Sequence, residues 1–242
     1  EGNYSFSISD SFNCTSTVND IVITSPEQLI IDVASVTYYN GYNVSCFDSN
    51  DATVSTSVDG GVGPYDYSFD GGASFVISDE DGDYDYENLN SGNMIFLVQD
   101  NNDCTAEVDF EVTSPLEIIP VVSQVGTLDC FGQSSVSIYA QNDGGSPQYT
   151  YTLSSQNETF EIISSASAVS FQDMSAGFYE LNIEDANGCT NSIANAAQIV
   201  IDQPNSMTYN IITSDISCSS TSDGSILIND FSGGLSPYTI KI

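Results

Sequence analysis

Three short segments of the sequence place a cysteine four positions after an aspartate. They are DSFNCT at 10–15, DNNDCT at 100–105 and DANGCT at 185–190. This pattern is typical of a tight turn with a cysteine at its exit, so Asp100 and Asp185 are predicted to be turn residues. The chemistry that such a cysteine offers is disulfide formation.

The cysteines are the first candidates for a chemical role. The six are Cys14, Cys46, Cys104, Cys130, Cys189 and Cys218. No two of them form a CxxC pair and the chain has no histidine, which argues against a metal site built from cysteines. Their number fits a protein of an oxidising compartment, where disulfides persist.

An acidic stretch, SDEDGDYDYE at 78–87, is the candidate metal site. Its carboxylates suit Ca²⁺, and the candidate ligands are Asp79, Asp81, Asp83 and Asp85. Two observations oppose the site: the residue order of an EF-hand is missing, and the matching stretch SSASAVSFQ has no carboxylate. We favour a solvated loop with the outer face of a strand, and expect no cofactor, with Ca²⁺ as the alternative.

Catalysis has few residues to work with. Without histidine and with Lys241 as the one basic residue, paired carboxylates are the one remaining acid-base system. The Gly-Gly pairs described below are not followed by lysine and open no helix, so a phosphate-binding loop is excluded. We expect no enzyme activity.

The charge of the chain restricts its partners. One Lys or Arg stands against 34 Asp and Glu, for a net charge of −33. Such a chain cannot neutralise nucleic-acid phosphates and does not suit an anionic membrane surface. No apolar run reaches the roughly 18 residues of a membrane span, and no basic segment precedes an apolar stretch at the start, so we expect an interior or mature piece of an exported protein.

The same landmarks recur along the chain in one order. A cysteine (46, 130, 218) precedes a strand-like run, then a Gly-Gly pair, then proline with tyrosine. The Gly-Gly pairs, Gly60-Gly61, Gly144-Gly145 and Gly233-Gly234, are predicted to be tight connections. The chain is therefore predicted to hold the C-terminal part of one repeat (1–26), two whole repeats (27–115 and 116–204) and the N-terminal part of another (205–242).

The periodicity inside each repeat is two. ATVSTSV and VSIYA alternate apolar and polar residues, and turn residues interrupt about every 8 to 12 positions, as in an antiparallel β-sandwich. About 89 residues is the size of an immunoglobulin-like sandwich. Tyr179 is placed where such folds have a tyrosine corner, although Met94 replaces it in the preceding repeat.

The tyrosines of YDYSF, YDYEN and YTYTL have two interpretations. Because they alternate on strands, we expect some to face outward, where they would stack on sugars. The favoured interpretation is that they stabilise the sheets.

At the repeat boundaries TSP, TSP and DQP, proline is followed directly by the next strand, which predicts a semi-rigid rod.

These landmarks resemble the SprB-type repeat of very large surface adhesins of gliding Bacteroidetes, which is similar to polycystic-kidney-disease-type (PKD-like) immunoglobulin-like domains. The resemblance is best in 116–204. It implies an all-β fold of tandem immunoglobulin-like sandwiches. It also implies a filament on the extracellular side of the outer membrane, exported by type IX secretion and moved by the gliding machinery, with the repeats as its stalk.

Standard sandwich topology leaves the disulfide pairing open. One arrangement is within each repeat, Cys46 with Cys104 and Cys130 with Cys189. However, a cysteine before the second strand and a cysteine in the last hairpin turn belong at opposite ends of a sandwich, too far apart for a bond. The other arrangement joins neighbouring repeats, Cys46 with Cys189, and free thiols are the third.

Two functions are therefore predicted, in order of preference. The first is a structural stalk segment of a secreted adhesin, whose partners are neighbouring repeats and, for the parent protein, the outer-membrane gliding and secretion machinery. The alternative is that the repeats themselves bind surface polysaccharide or Ca²⁺. No nucleic acid and no membrane insertion are expected.

Overall fold

The computed structural model describes residues 1–79, 82–192, 194 and 196–241. The described residues form eighteen β-strands in antiparallel sheets and no α-helix, which confirms the all-β class. None of these residues belongs to a helix with the length and apolarity needed to cross a membrane. The chain divides into two compact units, Glu1–Ser114 and Pro115–Ile242, and the division falls within the TSP segment at 113–115.

The first unit contains a hairpin and a sandwich. The hairpin is β1 (Gly2–Ser9) with β2 (Thr15–Ile23). The sandwich strands are β3 (Ile30–Val36), β4 (Ala52–Asp59), β5 (Tyr65–Ser68), β6 (Val76–Asp79), β7 (Asp83–Leu89), β8 (Gly92–Gln99) and β9 (Thr105–Val112). One sheet has the order β3-β4-β7 and the other β6-β5-β8-β9.

The core of this sandwich comes from the alternation that the sequence shows. Strand β4 buries every second residue, beginning with Ala52 and Val54, because successive side chains of a strand point to opposite faces. These residues form one cluster with Tyr67, Phe96 and Val98 of the other sheet. The two sheets therefore pack face to face.

The second unit repeats the same plan. Its sandwich strands are β10 (Ile119–Val125), β11 (Ser134–Asp143), β12 (Tyr149–Ser154), β13 (Thr159–Ser164), β14 (Ala168–Ser175), β15 (Gly177–Glu184) and β16 (Ala197–Ile201). The sheet orders are β10-β11-β14 and β13-β12-β15-β16. As predicted, Tyr179, Leu181 and Ile183 alternate on one strand and are buried.

Two hairpins have no second sheet packed on them among the residues that the structure describes. Strands β1 and β2 correspond in sequence to β8 and β9, and β17 (Thr208–Ser214) with β18 (Ser225–Ser232) corresponds to β3 and β4. Their apolar residues are exposed: Phe6 is 61 % exposed, whereas the equivalent Phe96 is fully buried. The outer repeat boundaries remain predictions.

Candidate functional site

The aspartate of the repeated turn holds two separate parts of the chain. In the second unit, Oδ1 of Asp185 accepts hydrogen bonds from the backbone N–H groups of Asn187 and Cys189, both at 2.9 Å. Oδ2 accepts a bond from the backbone N–H of Ser146 at 2.8 Å. One carboxylate therefore shapes the turn and also fastens the Gly-Gly loop, which lies far away in sequence.

The first unit builds the same arrangement with different neighbours. Oδ1 of Asp100 accepts bonds from the N–H groups of Asn102 (2.8 Å) and Cys104 (2.9 Å), and Oδ2 accepts one from Val62 at 3.0 Å. In the hairpin β1–β2, Asp10 bonds Phe12 and Cys14 through Oδ1. Asp100 and Asp185 are each 5 % exposed, so these bonds satisfy carboxylates that have little access to water.

The Gly-Gly loop lies against the segment that enters each repeat. The φ angle of Gly144 is +80°, and a Cβ atom there would lie 2.0 Å from the carbonyl oxygen of Glu117. The N–H of Gly145 donates to the carbonyl of Leu116 at 2.8 Å. Since these are backbone neighbours that cannot swing away, only glycine fits.

The other copies have equal geometry at the same loop. A Cβ at Gly60 would lie 2.0 Å from the oxygen of Gln28, and one at Gly233 would lie 2.1 Å from the oxygen of Ser206. The second glycine again donates to the entering segment: Gly61 to Glu27 and Gly234 to Asn205, both at 2.9 Å.

A tyrosine closes this loop in each copy. The hydroxyl of Tyr149 donates to the carbonyl of Gly144 at 3.2 Å. The equivalent bonds run from Tyr65 to Gly60 at 2.8 Å and from Tyr238 to Gly233 at 2.6 Å. We call the turn aspartate, the Gly-Gly pair and this tyrosine of one repeat its entry clasp. The clasp joins three segments that are far apart in sequence.

The electrostatics of the clasp favour an ionised aspartate. Burial opposes the charge of Asp100, but the N–H donors of Cys104, Asn102 and Val62 outweigh it and hold the pKa of that carboxyl below its usual value. The negative charge of Asp100, with burial, raises the pKa of the neighbouring Cys104 thiol. In the first repeat an ionised carboxylate therefore lies beside a protonated thiol.

The cysteines Cys46, Cys130 and Cys218 lie in a second element, which we call the start loop, before strands β4, β11 and β18. Oδ1 of Asp51 accepts a bond from the N–H of Ser45 at 3.0 Å. Asp223 does the same for Ser217 at 3.0 Å, and bonds from Ser217 and Thr221 lower the pKa of Asp223 below its usual value. Neither aspartate is predicted from the sequence, although each stands five positions after its cysteine.

The start loop and the turn lie at opposite ends of the first sandwich. Asn43 of the start-loop end donates its backbone N–H to the carbonyl of Thr113 at 3.0 Å, just after β9. Cys104 immediately precedes β9, whose eight residues span about 26 Å. A disulfide needs Cα atoms about 5.5 Å apart, so Cys46 and Cys104 cannot bond within the repeat.

The second sandwich separates its cysteines in the same way. Gly132, in the start loop of Cys130, donates its N–H to Oε1 of Gln203 at 2.7 Å, just after β16. Cys189 lies beyond the opposite end of the eight-residue strand β15, again about 26 Å away. Bonding of Cys130 to Cys189 is therefore excluded as well.

The oxidation states of the six cysteines follow this geometry. Cys46 and Cys189 are disulfide-bonded. The other four, Cys14, Cys104, Cys130 and Cys218, are exposed free thiols. The arrangement within each repeat therefore does not form, since one cysteine of each such pair is reduced.

The acidic stretch shows no metal site among the residues described. Asp81 lies outside the described residues, and Asp79 is the last residue of β6. Asp83 and Asp85 are exposed on β7. Across the described part of the chain, no three His, Cys, Asp or Glu residues come together as metal ligands would.

The tyrosines face inward, which corrects the expectation that some of them face outward. Tyr67, Tyr86 and Tyr151 are at most 2 % exposed, and Tyr67 stacks on Tyr84 with ring centroids 4.8 Å apart. Burial raises the pKa of Tyr151 to about 12. Tyrosines two positions apart share one face of a strand, and here that face is the core.

Tyr179 forms the predicted tyrosine corner. Its hydroxyl donates to the carbonyl of Ser175 at 3.1 Å, four residues upstream, as in immunoglobulin-like sandwiches.

Comparison with known protein families gives two matches, to the SprB repeat, at residues 42–74 and 210–242. Each match includes the start loop and the Gly-Gly loop of its copy. The SprB match does not fall in 116–204, where we expected the best resemblance; that copy has Ser135 in place of Asp51 and Asp223. The SprB matches fit a segment of a cell-surface adhesin.

Three solved structures are similar to this chain, all with low TM-scores and low sequence identity. Three N-terminal domains of the highly immunogenic outer capsid protein (Hoc) of bacteriophage RB49 have a TM-score of 0.38 and 13 % identity, covering 82 % of this chain and 70 % of that one. A tetra-tandem repeat from the extending region of a large adhesion protein has a TM-score of 0.29 and 12 % identity, covering 88 % and 59 %. Fibronectin(III)-like modules of Clostridium thermocellum CbhA have a TM-score of 0.28 and 12 % identity, covering 72 % and 94 %. No curated protein matches the sequence.

Proposed function

We propose that this chain is a structural stalk segment of a large secreted adhesin. The observation that carries the proposal is the recurrence of the entry clasp, with the Gly-Gly loop and its tyrosine built from the same contacts in three successive copies. A ligand site would have to be open, whereas the clasp is filled by the chain itself. Its role is to fix the segment by which each repeat is entered.

The clasp suits a protein that carries load. A stretching force on the first strand of a repeat acts first on the segment that follows the boundary proline. This segment is hydrogen-bonded to the Gly-Gly loop. In the whole repeats the turn aspartate ties this loop to the last hairpin. Several hydrogen bonds must therefore break together before the first strand leaves the sandwich.

The charge suits the same role. A net charge of −33 makes neighbouring stalks repel one another and keeps them soluble. We further propose that the parent protein is displayed at the outer membrane, exported by type IX secretion, and engaged by the gliding machinery. These finer roles rest on the family resemblance.

The alternative, that the repeats bind polysaccharide or Ca²⁺, is tested directly. Isothermal titration of residues 1–242 with Ca²⁺ and with extracted surface polysaccharide should give no saturable heat. Saturable binding that is lost in an Asp83→Asn/Asp85→Asn variant would favour the Ca²⁺ function. Saturable polysaccharide binding would contradict a purely structural stalk.

The stalk itself is tested on cells and in solution. Immunogold electron microscopy with antibody against 116–204 should label fibres that extend from the cell surface. Small-angle scattering of residues 1–242 should give an elongated particle at high and low salt. Label confined to the cell interior, or a compact globular particle, would overturn the proposal.

A further inference from the structure

The sequence contains two Asn-Gly dipeptides, and the structure places them in different surroundings. Asn40-Gly41 precedes the start loop of the first whole repeat, and Asn187-Gly188 lies in the Asp turn of the second. Both glycines border open space, because a Cβ at Gly41 or at Gly188 would meet nothing within 4 Å. Steric access to the two glycine nitrogens is therefore similar, and the difference between the dipeptides comes from their hydrogen bonds.

The first Asn-Gly pair forms the tip of a two-residue hairpin. Tyr39 and Tyr42 exchange backbone hydrogen bonds, at 2.7 Å and 3.1 Å. In the loop between them φ is +48° at Asn40 and +107° at Gly41, and Asn-Gly is the preferred pair for such a loop. Both residues are exposed, and among the described residues the N–H of Gly41 has no acceptor. This nitrogen is therefore accessible to water.

The second Asn-Gly pair is held by the Asp turn. The N–H of Gly188 donates to the carbonyl of Asp185 at 3.0 Å, and the N–H of Asn187 donates to Oδ1 of Asp185 at 2.9 Å. The side-chain amide of Asn187 donates to Oγ of the buried Ser146 at 3.1 Å. The glycine nitrogen and the asparagine side chain of this pair are therefore both engaged elsewhere.

We propose that Asn40 is a site of spontaneous modification, at which the side-chain amide is lost to give aspartate and isoaspartate, and that Asn187 is protected from the same reaction. The attacking nitrogen and the Cγ atom that it attacks belong to one short segment, so a ring closure replaces an encounter between two molecules. Asparagine is accordingly among the thermolabile residues of proteins. This inference does not depend on the stalk function.

The reaction needs water as its only co-reactant. Hydroxide removes the proton of the Gly41 N–H, and the nitrogen forms a C–N bond to Cγ of Asn40, while the side-chain nitrogen takes up a proton and leaves as ammonia. Water then opens the cyclic imide. Cleavage of its bond to Cγ gives aspartate, whereas cleavage of its bond to the backbone carbonyl carbon gives isoaspartate, in which the chain runs through Cβ and Cγ. The net change consumes water, releases ammonia and transfers no electrons.

The hydrogen bonds of the Asp turn set the expected difference in rate. The N–H of Gly188 and the side-chain amide of Asn187 must both leave their partners before the ring can close. Opening two bonds of ordinary net strength lowers the reactive fraction by about 10- to 100-fold. In the folded chain Asn40 should therefore lose its amide about 10 to 100 times faster than Asn187.

The product alters a well-defined part of the first repeat. The hydroxyl of Thr37 donates to the carbonyl of Asn43 at 2.7 Å, and Oδ1 of Asn43 accepts the N–H of Thr113 at 2.9 Å. These bonds hold both ends of the hairpin. Isoaspartate lengthens the backbone inside this closed loop, so the bonds between Tyr39 and Tyr42 should open, and each event adds a negative charge.

The test compares the two sites within the same molecules. Residues 1–242 are incubated at mildly alkaline pH, folded or in urea, and mass spectrometry measures the loss of amide at Asn40 and at Asn187. A glutamate-specific protease replaces trypsin, because the chain has one Lys or Arg and new aspartates must stay uncleaved. The folded chain should lose the amide faster at Asn40, as a mixture of aspartate and isoaspartate, and in urea the two rates should approach each other.

Three outcomes of this comparison would overturn the proposal. They are equal rates in the folded chain, faster loss at Asn187, and a difference that persists unchanged in urea. The last would mean that the local sequence, and not the fold, distinguishes the two sites.

Two serine variants locate the protection. Ser146→Ala removes the hydroxyl that holds the Asn187 amide and keeps the backbone N–H that Asp185 accepts. It should raise the rate at Asn187 about 2- to 10-fold and leave Asn40 unchanged. The control Ser137→Ala removes a hydrogen-bonding hydroxyl from the outer face of β11 and should change neither rate.

Hydrogen exchange of β11 to β16 shows whether the Ser146→Ala variant stays folded. If it does not, the rate at Asn187 should reach its value in urea. An unchanged rate at Asn187 in the folded variant would contradict the protection, and with it the contrast between the two sites.

Discussion

Two glycines of the second repeat have the same backbone conformation but different surroundings. Gly144 and Gly188 both have φ near +80°, a region that costs an L-residue about 1–2 kcal/mol. A Cβ at Gly188 meets nothing within 4 Å, whereas one at Gly144 would lie 2.0 Å from the carbonyl oxygen of Glu117. The pair Gly144→Ala and Gly188→Ala therefore separates backbone strain from steric contact.

The expected difference between the two variants comes from the entry clasp. Gly188→Ala should lower the free energy of unfolding of the second repeat by about 1–2 kcal/mol. Gly144→Ala must also push the loop away from Glu117, which adds about 1–3 kcal/mol of overpacking. We therefore expect about 2–5 kcal/mol for Gly144→Ala, including a weakened bond from Gly145 to Leu116.

The assay must report on one repeat of the chain. Native-state hydrogen exchange of residues 1–242, read by mass spectrometry on peptides from β11 to β16, gives the opening free energy of that sandwich. Peptides from β4 to β9 serve as an internal control and should not change. Equal destabilisation by the two alanine variants would refute the reasoning, because it would mean that contact with the entering segment does not require glycine.

Two further predictions concern the clasp and the first repeat. Tyr149→Phe removes the hydroxyl that donates to the carbonyl of Gly144 and should lower the free energy of unfolding of the second repeat by about 0.5–1.5 kcal/mol, measured by the same exchange assay. The control Tyr139→Phe, on the outer face of β11, should lower it less. Equal effects of the two variants would contradict the role of the Tyr149 hydroxyl. Hydrogen bonds from Ser74 and Ser68 lower the pKa of Asp70 from 3.8 to about 2, so its ionised form stabilises the folded state above about pH 4 and that contribution is lost as the pH falls toward 2. Urea midpoints measured from pH 5 to 2 should therefore fall more steeply for the wild type than for Asp70→Asn, and parallel curves would contradict this assignment.

The period of two was enough to predict the sandwich and much of its core. The alternation in β4 and β15 follows from side chains pointing to opposite faces of a strand, and Tyr179 occupies the tyrosine corner expected of it. By the same rule Tyr65 and Tyr67 must share one face of their strand. The core needs that face, so the expectation of outward rings was wrong.

The clasp itself could be predicted only in part. The turn aspartates and the Gly-Gly pairs were visible as recurring residues, but the bond from Asp185 to Ser146 joins positions 39 apart in sequence. Nothing in local spacing indicates which loop a second carboxylate oxygen will meet, because that depends on how the hairpins pack. The start-loop aspartates Asp51 and Asp223 do carry a local signal, because each lies five positions after its cysteine.

The entry clasp of each whole repeat takes its aspartate, glycines and tyrosine from that one repeat. Duplication or deletion of a repeat in the gene therefore preserves every hydrogen bond that holds the remaining ones closed. Unequal recombination can change the number of copies without any compensating substitution. Selection can therefore adjust the length of the array by one repeat at a time.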